Sequence, residues 1–426
     1  MKKLISAFLA LALAFSFATG ISVSEAVPDI AISSYAAESK PIEKQLLPYH
    51  YSKLSDSGKD IYIKLRKAAI DHEPKLKVNK KISSELFTEL SNIIFYEDPL
   101  AFNVKGVNAS IGSNSTEFIL SYNFKKDSYD KMLKRMDATA EKIISKFDED
   151  TSVYSKILYI HDYLTDHTVY DESLNSAHSA YGAMISGKAV CEGYARAFGY
   201  ICAKAGIKTV NVTGKGNNGD GHVVNHMWNR VYIKKQWYDI DLTWDDPTSN
   251  LVENQSYKYF LPGSAVFEQS HKADTDVLDY PEATKDTSLN YYTRKKLVAK
   301  DNKSAQSLLI SQISKAAAKK KTTATIKLAN KEAYQSFKSY IENNNCEKIY
   351  SILSSANKKS KATIVTDRFY AYYFDDVALT ATIGFLVKGT TLSDYYTDVD
   401  SLSQEYIDFF KQAGITKSKK QNKKSA

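Results

Sequence analysis

Three residues whose types could do chemistry stand in chain order at Cys191, His226 and Asp241, each inside a run that reads as regular structure. A thiol nucleophile, a general base and a group that orients the base are what acyl transfer through a cysteine requires. Cys191 opens the run Cys191-Glu-Gly-Tyr-Ala-Arg-Ala-Phe198, where the free backbone N–H groups and dipole of a helix start favour a thiolate. By that argument alone Cys191 reads equally well as a small core residue.

The elements that must carry these side chains follow from periodicity. Lys188 to Ala205 reads as a helix stopped by Gly206, with Cys191, Ala195, Phe198 and Cys202 on one face. Cys202 is therefore expected as a buried small hydrophobe. His222 to Ile233 and Gln236 to Trp244 read as strands separated by Lys234-Lys235, which lacks the Asn-Gly signature of a tight turn. A two-residue loop pairs Ile233 with Gln236 and hence Trp228 with Asp241. His226 shares the face of Trp228, so His226 and Asp241 become diagonal neighbours with Cβ atoms about 7 Å apart or less. A one-residue slip would put them on opposite faces. His222, at the loop edge, and His178, before the cysteine, are rival bases without a carboxylate placed for them. Trp228, Trp237, Trp244 and Tyr238 read as sheet packing, with one of them shielding the site from water.

Other patterns are weaker. Gly214, Gly216 and Gly219 spell a dinucleotide fingerprint, but the run that follows is a strand rather than the helix a pyrophosphate needs. The stretch is expected to be a flexible loop beside the site. His161 and His167 are six apart, whereas helical zinc pairs sit four apart around a glutamate, so both read as polar helix residues and no metal or cofactor is expected. Cys346, with no histidine nearby, reads as an inert thiol. The odd total of three cysteines argues for at least one free thiol.

At 426 residues the chain exceeds one ordinary domain, and 43% hydrophobic content suits folded cores. The net charge of +8 owes five units to Lys417, Lys419, Lys420, Lys423 and Lys424; the remaining +3 is an ordinary surface and argues against nucleic-acid binding. Lys2-Lys3 precede the apolar run Leu4 to Ala18, and small residues follow at Gly20 and Ala26, which is a signal-peptide pattern. The run is short of the ~20 residues of a membrane span. A secreted or cell-surface protein without a span after signal removal is expected.

At Gly187-Lys-Ala-Val-Cys191-Glu-Gly-Tyr-Ala-Arg-Ala-Phe198, His226-Met-Trp-Asn229 and Trp237-Tyr-Asp-Ile-Asp241-Leu-Thr-Trp-Asp-Asp-Pro247 the sequence resembles the transglutaminase-like superfamily, with its papain-like Cys-His-Asp chemistry. The resemblance covers about residues 150 to 265 and points to bacterial exported relatives. It implies Cys191 as nucleophile, His226 as base and acid, and Asp241 as orienter, on a helix packed against an antiparallel sheet. Papain-like enzymes often place a glutamine just before the cysteine as oxyanion donor; here the stretch is Met184-Ile-Ser-Gly-Lys188, so the Cys191 N–H, helped by Tyr181, is the expected substitute.

The expected fold class is α+β, with a papain-like core between two flanking parts. The parts are a signal peptide (1–26), a linker (27–45), an N-terminal α/β domain (46–150), the core (151–265), a second linker (266–303), a C-terminal α+β domain (304–415) and a basic tail (416–426). The expected activity is thiol-dependent cleavage of an amide in a protein or cell-envelope peptide. Cross-linking of glutamine to an amine by the same triad, and a non-catalytic envelope- or protein-binding module, are the alternatives. The C-terminal domain or the tail is a candidate contact for cell-envelope polymer.

Overall fold

A computed structural model describes residues 41–217, 222–246, 256–396 and 399–417. The expected signal peptide, most of the first linker, the end of the glycine-rich stretch including Gly219 and most of the basic tail lie outside the described residues.

The N-terminal part contains α1 (Asp56–Asp71), β1 (Lys75–Val78), α2 (Ser84–Asn92), β2 (Val104–Ile111), β3 (Thr116–Tyr122) and α3 (Lys126–Ile144). Ser55 and Ser83 cap α1 and α2 by accepting backbone N–H groups of the first turn. β1, β3 and β2 form an antiparallel sheet in that order.

The central part begins with α4 (Val153–His167), capped by Ser152, whose side chain accepts the Ser155 N–H. The short parallel pair β4 (Val169–Tyr170) and β5 (Lys188–Ala189) leads into α5 (Cys191–Lys204), so Cys191 is the first residue of its helix. Gly206, at φ 72°, turns the chain out of α5 in the left-handed region that glycine adopts without strain. Then come β6 (Thr209–Asn217), β7 (Val223–Ile233), β8 (Gln236–Ile240), α6 (Leu242–Asp245), α7 (Ser264–Phe267) and β9 (His271–Ala273). These strands make one antiparallel sheet in the order β8-β7-β6-β9, and α5 packs on β6 and β7.

The hairpin register is the one its spacing predicts. Ile233 pairs with Gln236, and the ladder runs back to Asn229 opposite Ile240. Lys234 and Lys235 both take positive φ, 50° and 65°, so two lysines accept the backbone of a mirror-image turn usually given to Asn-Gly.

Residues 266–303, expected as a linker, are instead structured. β9 adds an edge to the central sheet, and Leu289 and Tyr291 pack into the core below α5. The N-terminal part shares its apolar cores with the central part: Met136 and Phe102 sit with Phe198 and Ile240, and Phe118 sits with Val212 and Trp228. After α8 (Tyr291–Arg294), whose Tyr291 belongs to the core below α5, the remaining chain builds its own cores from Ala299 onward. It comprises β10 (Val298–Ala299), α9 (Asn302–Ala318), β11 (Thr323–Leu328), α10 (Lys331–Glu342), α11 (Glu347–Lys359), β12 (Ile364–Asp375), β13 (Thr380–Val387) and α12 (Gln404–Gln412). Its sheet, β10-β11-β13-β12, carries one apolar cluster with α9, α10 and α11 and another with Tyr395 and Phe410. The whole is α+β, as expected. Among the described residues no helix is long and apolar enough to cross a membrane.

Candidate active site

The start of α5 is fixed from behind. Val190, extended at the helix N-cap, donates its N–H to the Ala177 carbonyl at 3.1 Å. Two residues after Cys191, a Cβ on Gly193 would lie 2.3 Å from that same carbonyl oxygen, so the helix can seat on the 176–179 segment only with glycine there. Asn229 of β7 donates to the Ala195 carbonyl at 3.0 Å and to Asn211 Oδ1 at 2.8 Å, tying the cysteine helix to the histidine strand. Glu192 takes a hydrogen bond from Arg196 at 2.7 Å and bonds His178 at 2.9 Å. His178 is thus engaged by that carboxylate rather than by the thiol.

His226 and Asp241 meet as the register requires, with Nε2 2.8 Å from Oδ2 and both side chains buried. The His226 ring also hydrogen-bonds Cys191, which is partly exposed. Burial works against a charged imidazole, but the Asp241 charge and the bonds to Asp241 and Cys191 outweigh it and raise His226 to about 10. Burial likewise opposes a charged Asp241, yet His226 and a second histidine hold its carboxyl well below the usual range. Asp241 is also the N-cap of α6, its Oδ1 accepting the N–H groups of Thr243 at 2.9 Å and Trp244 at 3.4 Å.

The second histidine is His271, the first residue of β9, whose Nε2 lies 3.0 Å from the same Asp241 oxygen. Nothing in its own neighbourhood of sequence signals this. The contact depends on β9 pairing with β6 thirty positions after Asp241, inside a segment read as a linker. His226, Asp241 and His271 place ligand-type atoms within 4.8 Å of one another. Here each imidazole instead spends its Nε2 on the carboxylate, so the group is a closed hydrogen-bonded set.

Aromatic rings close the site over this set. Trp244 stacks on His226 with centroids 4.7 Å apart and planes 21° apart, and Trp228 follows at 6.1 Å. The glycines that mimic a dinucleotide fingerprint belong here: Gly214 and Gly216 lie within β6, not in a loop. A Cβ on Gly214 would sit 2.6 Å from the Trp228 ring, and one on Gly216 would sit 2.8 Å from the Trp244 ring.

Several expected residues lie elsewhere in function. The hydroxyl of Tyr181, expected to help an oxyanion, instead accepts a hydrogen bond from Arg135 of α3, whose guanidinium also lies over its ring. Tyr170 of β4, still partly exposed, lies within electrostatic reach of Cys191; partial desolvation first, then Cys191, Glu172 and Asp241, raise its phenol to about 12. His222 is exposed ahead of β7. His161 is not a polar surface residue but fully buried, between Asp162 and Asp245. His167 bonds the Tyr163 carbonyl. Cys202 is buried, and burial pushes its thiol well up. Cys346 is buried and hydrogen-bonds Tyr372 in the C-terminal part. A cavity of about 550 Å³ behind α5 is lined by residues such as Tyr49, Glu97, Arg196, Tyr200 and Trp237, and not by Cys191, His226 or Asp241.

Residues 137–242 match the sequence family described as the Transglutaminase-like superfamily. The kyphoscoliosis peptidase of Mus musculus is 26% identical over 172 residues, and that of Homo sapiens 29% over 134. Those matches cover 34% and 28% of this chain but only 26% and 20% of the relatives' own lengths. Among solved structures, a TGase is 18% identical with a TM-score of 0.23, covering 40% of this chain and 50% of that one. The periplasmic domain of TgpA from Pseudomonas aeruginosa is 15% identical with a TM-score of 0.21, covering 30% of this chain and 54% of that one.

Proposed function

We propose that this chain, whose residues 137–242 belong to the transglutaminase-like superfamily, is an exported thiol-dependent hydrolase of amide bonds in peptides or proteins. The observation that carries the reading is the chain of hydrogen bonds from Cys191 through His226 to Asp241 at a helix start. The named peptidases among its relatives support hydrolysis over the alternatives. The apolar run after Lys2-Lys3 supports export.

In this reading the Cys191 thiol gives its proton to His226, and the sulfur attacks the amide carbonyl carbon. The oxyanion meets the N–H groups of the first turn of α5, which have no partner within the helix. The imidazolium, kept charged by Asp241, then protonates the amine nitrogen as the C–N bond breaks, leaving a thioester on Cys191. His226 next takes a proton from water, whose oxygen attacks the thioester carbon. The C–S bond breaks, releasing the acid and restoring the thiol. The stacked Trp244 keeps bulk water off the ring during these transfers.

The test is mass analysis of a glutamine-containing peptide incubated with the full chain and a primary amine. Peptide cleavage or free acid is expected, at a rate lost in Cys191→Ala. An amine adduct as the main product would make the protein a cross-linking enzyme, and no turnover of any acyl substrate would make it a binding module.

A further inference from the structure

We propose that His271 is a positioning residue for this reaction: its Nε2–H holds the Asp241 oxygen that orients His226. The inference rests on the triad reading above and adds a residue to it.

Asp241 has two oxygens with unequal support. Oδ1 is fixed by two backbone N–H groups of α6 that do not change during turnover. Oδ2 faces His226, the group whose ring must gain and lose a proton in each half-reaction. A carboxylate oxygen held only by that ring would swing as the ring's charge changed. His271 supplies a second donor to Oδ2 at 3.0 Å, from a ring outside the path of the proton.

The tautomer follows from the partners. An ionised carboxylate only accepts, so His271 Nε2 carries the proton, and Nδ1 is left to accept from Ser270 Oγ at 2.9 Å. Both nitrogens are then satisfied on a neutral ring, the form that burial also favours. The ring cannot turn freely: it stacks on Phe267 with centroids 3.9 Å apart and lies 4.4 Å from the Trp244 ring. The Ser270 oxygen is 3.1 Å from the Tyr259 hydroxyl, and the Tyr259 carbonyl accepts the Asp241 N–H at 3.3 Å. The tether therefore closes back on Asp241. The titratable groups acting on His271 are Asp241, His226 and Asp239, with Tyr259 against its ring.

The experiment follows iodoacetamide alkylation of Cys191 in the full chain from pH 5 to 9 by peptide mass spectrometry, which needs no substrate. His271→Leu keeps bulk without a donor, His271→Gln keeps an N–H donor, and Ser270→Ala loosens the ring while leaving it in place. His271→Leu, with wild-type circular dichroism, is expected to move the acid limb of the profile up by about one pH unit, a roughly tenfold slower reaction at pH 6. His271→Gln should stay within about threefold of wild type, and Ser270→Ala should shift the limb the same way by less. The proposal is overturned if the His271→Leu and Ser270→Ala profiles overlay wild type, or if His271→Gln is as slow as His271→Leu. If wild-type Cys191 itself alkylates like an ordinary free cysteine, the triad reading falls, and the role of His271 with it.

Discussion

Two buried histidines, His226 on β7 and His161 on α4, each bond an aspartate of the short segment 241–246. Each has its affinity for a proton raised against the opposing effect of burial, His226 to about 10 and His161 to about 9. Each sits among aromatic rings, Trp244 against His226 and Phe260 against His161. They differ in what the other ring nitrogen meets. His161 faces a second carboxylate, Asp162, at 3.0 Å, so both of its protons are held by groups that only accept. His226 faces a thiol that can give and retake a proton. A perturbed histidine beside an aspartate is thus shared by a structural clamp and a candidate catalyst, and the partner of the second nitrogen tells them apart.

The sharpest way to break this comparison is to truncate both rings. His226→Ala is expected to lower kcat per folded molecule by about a thousandfold or more, whatever it costs in stability, because it removes the base. His161→Ala should keep kcat per folded molecule yet lose about 3–5 kcal/mol of stability, because the fully buried Asp245 carboxylate loses the imidazolium at its Oδ2. Product formation and denaturant melts on the same samples separate the two, and the distinction fails if His161→Ala loses turnover while fully folded.

A smaller effect lies in the pH dependence of the clamp. A histidine whose folded value rises from 6.5 to about 9 contributes stability that is complete below 6.5 and lost as pH passes 9. The stability gap between wild type and His161→Gln, which does not titrate, should therefore be widest near pH 6. It should narrow by something on the order of 3 kcal/mol by pH 10. A gap that widens with pH would assign the wrong charge state to His161.

The smallest effect concerns the second cysteine of α5. Cys202→Ala removes one buried sulfur that touches neither His226 nor Asp241. Activity should stay within about twofold, with a stability loss of about 1 kcal/mol. In native protein the alkylating probe should mark Cys191, and it should reach Cys202 only in denaturant.

How much of this was legible in the chain varies by the range of the contact. The His226–Asp241 pair follows from a two-residue separation between runs of alternating pattern, which is local information. Lys234-Lys235 makes that turn at positive φ without a glycine. The position of Cys191 at its helix start was readable within a few residues. His161 was misread although the signal was present: Ile157, His161 and Leu164 follow the spacing of a buried helical face. His271 was not readable, because its role arises from a strand pairing made after the chain has turned through α6 and α7. Tyr170 was missed for a similar reason, since only the β4–β5 pairing carries it within reach of the thiol. The 266–303 segment looked like a linker because its polar composition hides single buried residues spaced too far apart to show a period.

Gly214 and Gly216 bear on attempts to engineer this protein. A strand interior is a poor place for glycine, and each costs roughly 0.5–1 kcal/mol against alanine in local terms. Replacement by valine or threonine is the change that strand preference recommends. At these two positions the added atoms would occupy the space of the Trp228 and Trp244 rings and push them into the imidazole they cover. A thermostabilising library that scores β6 by strand preference would therefore select against the very site it meant to preserve.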